Sequence, residues 1–367
     1  MSFDKLRAEL QGRFSSGVGR QWTDGEFGAL ALRCFRHQFS TNATYRAFCE
    51  GRQRTPGTVS HWEDVPAVPA TAFKQLELIA EGSGPPEASF LTSGTSRGTG
   101  RRGRHPVRSL ALYRSSLLPT FKAYVVPDLD RIVFISLIPS PVVLPDSSLS
   151  FMVGAAADQF ASEVHWLVDA SGALDSEGLI EVAAKATRAG QPVLLLGTAF
   201  AFVHALERLG DAGLRELAAG SRIMETGGFK GRGRDIPRLE LHSRLSDATG
   251  VPPSRIVNEY GMTELLSQLY EPVLAEGLSA SGMHVPPPWL RVRALDPHTL
   301  EPMQEGREGI LAFFDLANLG SVCHVLTEDV GSVQDGRVRL AGRVAGAEPR
   351  GCSRAMDDLM AVADSAR

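Results

Sequence analysis

Residues 192–209 read PVLLLGTAFAFVHALERL, and the apolar run at 192–206 within them decides the fold class. Positions 192–196 are continuously apolar, as in a strand that is buried on both faces. From 199 to 209 the apolar residues recur at helical spacing. The run contains Gly197 and His204 and falls short of the roughly 20 apolar residues that cross a bilayer. It therefore predicts a buried strand that leads into a helix.

The alternation of strand and helix extends to both sides of this run. Strands are expected at 131–138, 163–168, 192–196, 221–226 and 255–259, and helices at 109–124, 176–189, 199–209 and 238–249. Short apolar strands that alternate with longer helices indicate βαβ units and a mostly parallel sheet. The predicted fold class is therefore α/β.

The two ends of the chain have sequence patterns that differ from this alternation. Helices are expected at 4–14, 24–37 and 42–50, whereas short alternating apolar runs after residue 286 indicate β-structure: WLRVRAL, GILAFFDL, CHVLTEDV and RVRLAGR. The sequence thus predicts four parts. These are a helical region packed on the core (1–88), an α/β core (89–285), a β-rich subdomain (286–345) and a C-terminal tail (346–367).

Composition narrows the function classes. The chain has 367 residues, 43% of them hydrophobic, and a formal net charge of −4. This balance gives no general attraction to nucleic acid or to an anionic membrane, although basic residues cluster at 97–108. The four cysteines are far apart, and the first residues lack the apolar run of a signal peptide. We expect a cytoplasmic protein with neither a nucleic-acid partner nor a membrane span.

A run of small residues, LTSGTSRGTG, occupies positions 91–100 at the end of an expected strand. Glycines and small hydroxyl residues let backbone N–H groups approach phosphate oxygens, and the arginines that follow add positive charge. The run lacks the GxxxxGK[ST] spacing of a Walker loop, and by itself it also fits a surface loop. The candidate phosphate-binding residues are Thr92, Ser93, Gly94, Thr95, Arg97 and Gly98, with His105 as a further cation.

A second motif, NEYGMTE, follows an expected strand at positions 258–264. Tyr260 offers a flat ring against which a base can stack, and Gly261 beside it leaves the backbone open. Thr263 supplies a hydroxyl for a phosphate. Glu264 supplies a carboxylate oxygen, which suits Mg²⁺.

These motifs resemble those of the adenylate-forming enzymes, which include acyl- and aryl-CoA ligases and firefly-type luciferases. TSGTSRG resembles their phosphate loop, and NEYGMTE resembles their tyrosine–threonine–glutamate motif. Three further matches follow the family's order: METGG at 224–228, Thr327-Glu328-Asp329, and Gly342-Arg343. The resemblance implies that ATP binds with Gly227, Gly228 and Tyr260 around the adenine and Asp329 on the ribose. It also implies that Arg343 opens a hinge.

A closer resemblance, over nearly the whole chain, is to the acyl-protein synthetases of bacterial luminescence operons (LuxE type). Segments that carry it include VPAVPATAFKQL, LLGTAFAFVH, METGGFKGRGR and GAEPRGCS. The resemblance implies the large N-terminal domain of an adenylate-forming enzyme, without the usual mobile C-terminal domain. It also implies that Cys352 accepts the acyl group as a thioester and passes it to an acyl-acceptor protein, such as an acyl-CoA-reductase-like enzyme. Arg350 nearby favours the nucleophilic thiolate.

Lys230, in GGFKGRGR, is a further catalytic candidate. Its ammonium group would face the phosphates or the incoming carboxylate and replace the lysine of the missing domain. The expected reaction is ATP- and Mg²⁺-dependent activation of a carboxylic acid, in particular a fatty acid, as its acyl-adenylate. Two alternatives stay open: a CoA ligase or acyltransferase of the phenylacetate/aryl-CoA ligase type, with CoA as acceptor, and an inactive nucleotide- or acyl-binding regulatory module.

Overall fold

The computed structural model describes residues 2–80, 84–92, 102–210, 213–214, 216–227, 236–278, 282–343, 355–357 and 359–360. The chain forms two compact units. The first unit comprises Met1–Pro119, Met262–Gln268 and Val285–Arg367, and the second comprises Thr120–Gly261 and Leu269–His284. In the described residues, no helix is long and apolar enough to cross a membrane.

The helices are α1 (Phe3–Phe14), α2 (Asp24–Thr41), α3 (Ala43–Gly51), α4 (Leu110–Tyr124), α5 (Ser148–Phe160), α6 (Ser176–Arg188), α7 (Ala199–Leu209), α8 (Arg238–Thr249) and α9 (Val273–Glu276). The strands are β1 (Val68–Pro69), β2 (Ala88–Leu91), β3 (Arg104–Val107), β4 (Ile132–Ser136), β5 (Ala161–Trp166), β6 (Val193–Thr198), β7 (Arg222–Thr226), β8 (Ile256–Tyr260), β9 (Leu269–Tyr270), β10 (Leu290–Leu295), β11 (Gly309–Asp315), β12 (His324–Gln334) and β13 (Arg337–Arg343).

The second unit is built on one six-stranded sheet with the order β5-β4-β6-β7-β8-β9. The first five strands run parallel, and β9 is antiparallel to β8. Leu194, Leu195 and Leu196 of β6 are almost fully buried, and burial of each contributes about 2 kcal/mol. The α/β fold class with a mostly parallel sheet is therefore confirmed.

Thr198, Gly197 and Phe202 shape the turn from β6 into α7. Thr198 caps the helix, because its Oγ1 accepts a hydrogen bond from the Ala201 N–H at 3.1 Å. Gly197 permits the close approach of the Phe202 ring, since a Cβ on Gly197 would lie 2.9 Å from that ring. The stretch 192–209 is thus a strand followed by a helix, as expected.

The first unit contains a second sheet with the order β1-β12-β11-β10, and β13 pairs with the other part of β12. Aromatic contacts join its N-terminal helices to this sheet region: Phe14 of α1 stacks on Trp289 at 4.5 Å, and Phe27 of α2 meets Phe314 edge-on at 5.7 Å. Strands β2 and β3 form a separate hairpin. The β-structure expected after residue 286 is present as β10 to β13.

Candidate active site

The predicted phosphate loop extends from the β2–β3 hairpin of the first unit. Thr92 follows β2 and closes the hairpin against Gly103: the Thr92 N–H donates to the Gly103 carbonyl at 2.9 Å, and the Gly103 N–H donates to Thr92 Oγ1 at 2.8 Å. Arg102 Nε donates to the Thr92 carbonyl at 2.7 Å. Thr92 therefore fixes the base of the loop. The other loop candidates lie outside the described residues: Ser93, Gly94, Thr95, Arg97 and Gly98.

In the second unit, the METGG and NEYG motifs lie at the C-terminal ends of neighbouring strands β7 and β8. Glu225 is in register with Asn258, whose Nδ2 donates to Glu225 Oε2. Thr226 is in register with Glu259, and its hydroxyl donates to Glu259 Oε2. Two polar side-chain pairs thus join two motifs that the sequence presents separately.

These pairs position the predicted adenine-binding residues at the C-terminal edge of the parallel sheet, where ligands bind in open α/β folds. Gly227 follows β7 with φ +71°, a conformation that favours glycine. Tyr260 ends β8 and is half-buried, and Gly261 after it is exposed. Gly228 and Lys230 lie outside the described residues.

A buried polar cluster surrounds the Glu225–Asn258 pair. His284 Nε2 donates to Asn258 Oδ1 at 2.7 Å, and His242 Nε2 lies 3.5 Å from Glu225 Oε2. Glu271, which follows β9, accepts hydrogen bonds from Arg238 Nη1 at 2.5 Å and from a backbone N–H at 2.6 Å. Burial raises the pKa of the Glu271 carboxyl, and Arg238 opposes that shift. No sequence pattern indicates this cluster, because Glu271 and His284 belong to no motif.

The second half of NEYGMTE lies in the first unit, where other side chains hold it through its backbone groups. His105 Nδ1 is 2.7 Å from the Thr263 carbonyl oxygen, and Asn318 Nδ2 donates to the Glu264 carbonyl at 2.7 Å. Asp315 accepts a hydrogen bond from the Leu266 N–H at 2.9 Å. We call His105, Asn318 and Asp315 the backbone clamp.

Burial sets the charge state of two clamp members. It lowers the pKa of His105 to about 4, so the imidazole is neutral near pH 7. In the structure the His105 ring contacts the Thr263 carbonyl, and the expected contact of His105 with the phosphates stays a prediction. Burial also raises the pKa of Asp315 to about 6, against hydrogen bonds from Ser267 Oγ and nearby backbone N–H groups.

Asp329 and Arg343, predicted separately, form an ion pair in which Arg343 Nε donates to Asp329 Oδ1 at 2.8 Å. They face each other across the antiparallel pair β12 and β13. The ladder between β11 and β12 is irregular here, and Thr327 Oγ1 donates to the Leu311 carbonyl at 2.8 Å within it. Such bulges re-aim side chains and are frequent near active sites.

The donor set fits a magnesium nucleotide. Mg²⁺ is commonly bound through one or two carboxylates together with substrate phosphates. Glu264 provides a buried carboxylate, and half-buried Thr263 precedes it. Within the described ranges, no group of three or more His, Cys, Asp or Glu residues is arranged to hold a metal ion.

Three of the four cysteines are buried thiols in the first unit: Cys34, Cys49 and Cys323. Burial raises the pKa of Cys49 to about 12 and that of Cys323 well above its usual value, which suppresses the thiolate. Cys352 lies outside the described residues.

Comparisons with known proteins agree on one family. A family model described as acyl-protein synthetase, LuxE, matches residues 24–361. Two relatives are each named long-chain-fatty-acid–luciferin-component ligase. The one from Vibrio harveyi is 23% identical and covers 95% of this chain and 93% of its own length, and the one from Aliivibrio fischeri is 23% identical and covers 90% and 88%.

Solved structures share the fold. A 2-hydroxyisobutyryl-CoA ligase in complex with 2-HIB-AMP and CoA is 14% identical with a TM-score of 0.64, over 89% of this chain and 76% of that chain. ATP-bound MatB from Rhodopseudomonas palustris is 19% identical with a TM-score of 0.50, over 72% of this chain. The matched part spans about half (49%) of MatB. The fold is therefore that of the adenylate-forming enzymes, as expected.

Proposed function

The chain belongs to the LuxE family of acyl-protein synthetases, and on that premise we propose that it activates a long-chain fatty acid and transfers the acyl group to a protein thiol. The family is a class of ligases. The relatives' name supports the choice of substrate, since both are named for a long-chain fatty acid. The observation that carries the proposal is the pair of joined strand ends, β7 and β8, followed by the clamped Thr263–Glu264 segment.

In the first step, an oxygen of the substrate carboxylate bonds to the α-phosphorus of ATP, and the bond from that phosphorus to the pyrophosphate oxygen breaks. The protein contributes positioning and electrostatic stabilisation. Bound Mg²⁺ would neutralise charge on the phosphates, and Glu264 would hold it. The proposed assignments are Thr92, Ser93, Gly94, Thr95, Arg97, Gly98 and Thr263 to the phosphates, Lys230 to the reacting carboxylate, Gly227, Gly228, Tyr260 and Gly261 to the adenine, and Asp329 to the ribose.

In the second step, the thiolate of Cys352 attacks the acyl carbonyl and AMP leaves with the electrons of the broken carbon–oxygen bond. Support comes from the other cysteines, because three thiols are buried and the pKa is raised in Cys49 and Cys323. A thioester keeps the acyl group activated for transfer to a partner protein. We propose an acyl-CoA-reductase-like acceptor, with Arg343 at a hinge ahead of the Cys352 segment.

Labelling with a radioactive long-chain fatty acid tests this proposal. With Mg-ATP, the wild-type protein is expected to retain a label that survives treatment with acid and is removed by neutral hydroxylamine. Cys352→Ser should release acid-dependent pyrophosphate yet retain no label, whereas the buried control Cys49→Ala should be labelled as the wild type is.

Three other outcomes would contradict the proposal. Undiminished label in Cys352→Ser would overturn the role of that thiol. Stoichiometric conversion of added CoA to acyl-CoA by Cys352→Ser would favour the CoA ligase alternative. Nucleotide binding without any acid-dependent pyrophosphate would favour a regulatory module.

A further inference from the structure

The hydrogen bonds of His105 fix its tautomer. A backbone carbonyl oxygen only accepts, so Nδ1 carries the proton that is donated to the Thr263 carbonyl at 2.7 Å. Nε2 of the neutral ring then accepts from the Ser321 hydroxyl, 2.9 Å away. The Ser321 hydroxyl, the His105 ring and the Thr263 carbonyl thus form a chain of two hydrogen bonds, which we call the relay. In this chain Nε2 accepts and Nδ1 donates.

Through these hydrogen bonds, His105 links two parts of the first unit. His105 lies in β3, the strand that returns from the predicted phosphate loop, and is paired with Phe90 of β2. The ring is 1% exposed, and Phe73 packs against it edge-on at 5.3 Å. His105 thus connects the hairpin that carries the loop to the segment that carries Thr263 and Glu264.

Two further contacts hold the neighbouring residues of that segment. Asn318 donates to the Glu264 carbonyl at 2.7 Å, and Asp315 accepts from the Leu266 N–H at 2.9 Å. Both residues come from the end of β11 and the turn after it. His105 therefore adds a connection to the β2–β3 hairpin that these two contacts do not provide.

We infer that His105 is a positioning residue for metal-bound nucleotide, which it serves by fixing the Thr263–Glu264 segment relative to the β2–β3 hairpin. The inference rests on the proposed function for the assignment of Glu264 to Mg²⁺. Outer partners that orient a metal ligand typically contribute about 10- to 100-fold to metal affinity or activity. The loss of the relay should therefore weaken the coupling between Mg²⁺ and ATP.

His324 offers a matched control in the same unit. It is 3% exposed, burial lowers its pKa to about 4, and its Nδ1 lies 2.7 Å from the Val65 carbonyl oxygen. A leucine at either position removes a buried imidazole and its hydrogen bond to a carbonyl. The two variants differ in whether the carbonyl belongs to the NEYGMTE motif.

The test measures ATP affinity by calorimetry, with EDTA and with saturating Mg²⁺. The ratio of the two dissociation constants reports how strongly the metal and the nucleotide couple. His105→Leu should reduce this ratio about 10-fold. His105→Asn, which keeps an N–H near the Nδ1 position, should stay within about 3-fold of the wild type. His324→Leu should keep the wild-type ratio.

A wild-type ratio in folded His105→Leu, or an equal loss in His324→Leu, would overturn the inference. If His105→Leu does not fold, Ser321→Ala carries the test. It removes the hydroxyl that orients the ring and should lower the ratio about 3-fold, and an unchanged ratio would overturn the inference. The proposed function fails separately, if wild-type protein with normal Mg²⁺–ATP coupling releases no acid-dependent pyrophosphate.

Discussion

The two halves of the NEYGMTE motif are held in different ways. In the second unit, Asn258 and Glu259 use their own side chains to reach Glu225 and Thr226 on the neighbouring strand. In the first unit, the segment after Gly261 is held through its backbone groups by the clamp. The first half depends on the identity of its own side chains, whereas the second depends on residues far away in the sequence.

A sequence motif indicates the side chains of a site, but not the distant residues that hold its backbone. A hydrogen bond to a carbonyl does not depend on the side chain at that position. The clamp can therefore orient Thr263 and Glu264 without restricting the chemistry of their side chains. Substitutions in the two halves should have different signatures, and four predictions test that difference, from the largest expected effect to the smallest.

The largest effect should come from Glu264. Glu264→Gln keeps the size of the side chain but removes the charge expected to hold Mg²⁺, and should lower acid-dependent pyrophosphate release by about 100- to 1,000-fold. Glu259→Gln is the matched control in the other half, since an amide oxygen still accepts from Thr226. We expect it to lose less than about 10-fold. The reverse order of the two effects would contradict the difference between the halves.

The second prediction concerns acid. Burial lowers the pKa of His105 and of His324 to about 4, so the folded protein resists protonation that the unfolded chain accepts near 6.5. The stabilisation is complete above pH 6.5 and is lost as the pH falls toward 4. Each histidine should account for about 3 kcal/mol of that loss.

Urea denaturation between pH 7 and 4.5 measures this effect. The free energy of unfolding of His105→Leu should fall less steeply with acid than that of the wild type, and His324→Leu should behave in the same way. Curves parallel to that of the wild type would show that the two imidazoles do not stay neutral in the folded state.

Asp315→Asn should destabilise the first unit by about 2 kcal/mol, because the amide NH2 would face a backbone N–H in either orientation, that of Leu266 or that of Ala317. Since burial raises the Asp315 pKa to about 6, its contribution is complete below the unfolded value near 3.8 and declines as the pH rises to 6. The variant should lack that slope. Exposed Asp335, at a turn with φ +50°, provides the control. Asp335→Asn should change the free energy of unfolding by less than about 0.5 kcal/mol.

The smallest effect is the coupling between Glu225 and Asn258. A double-mutant cycle with Glu225→Leu and Asn258→Leu should give about 1 kcal/mol of interaction in the free energy of unfolding, because either single change leaves the other polar group buried. The coupling of Mg²⁺ to ATP should stay as in the wild type. A change in that coupling as large as in His105→Leu would remove the distinction between the two halves.

Local pattern predicts much of the second unit. β6 and α7 could be read from the sequence, because a continuous apolar run and a helical period are properties of neighbouring residues. α5 was not predicted from the sequence, since SLSFMVGAAADQF is small or apolar on most sides and lacks a clear apolar stripe. β3 was also missed: RHPV contains a proline and two basic residues, and pairing with β2 makes it a strand.

Local sequence pattern likewise predicts only part of the candidate site. Motifs predict roles for Tyr260, Thr263 and Glu264, whereas the clamp joins residues 158 and 54 positions apart through main-chain groups. No local pattern encodes such a contact. His105 stood out in the sequence as a basic residue, whereas its burial, which lowers its pKa, and its contact with the Thr263 carbonyl appear only in the structure.

Pyrophosphate release from Mg-ATP in the presence of hydroxylamine, across carboxylic acids from acetate to palmitate with benzoate and phenylacetate, tests the central claim most directly. The account predicts release that depends on the acid and is highest with the long-chain members. Release with none of these acids, from protein shown to be folded and to bind ATP, would contradict it.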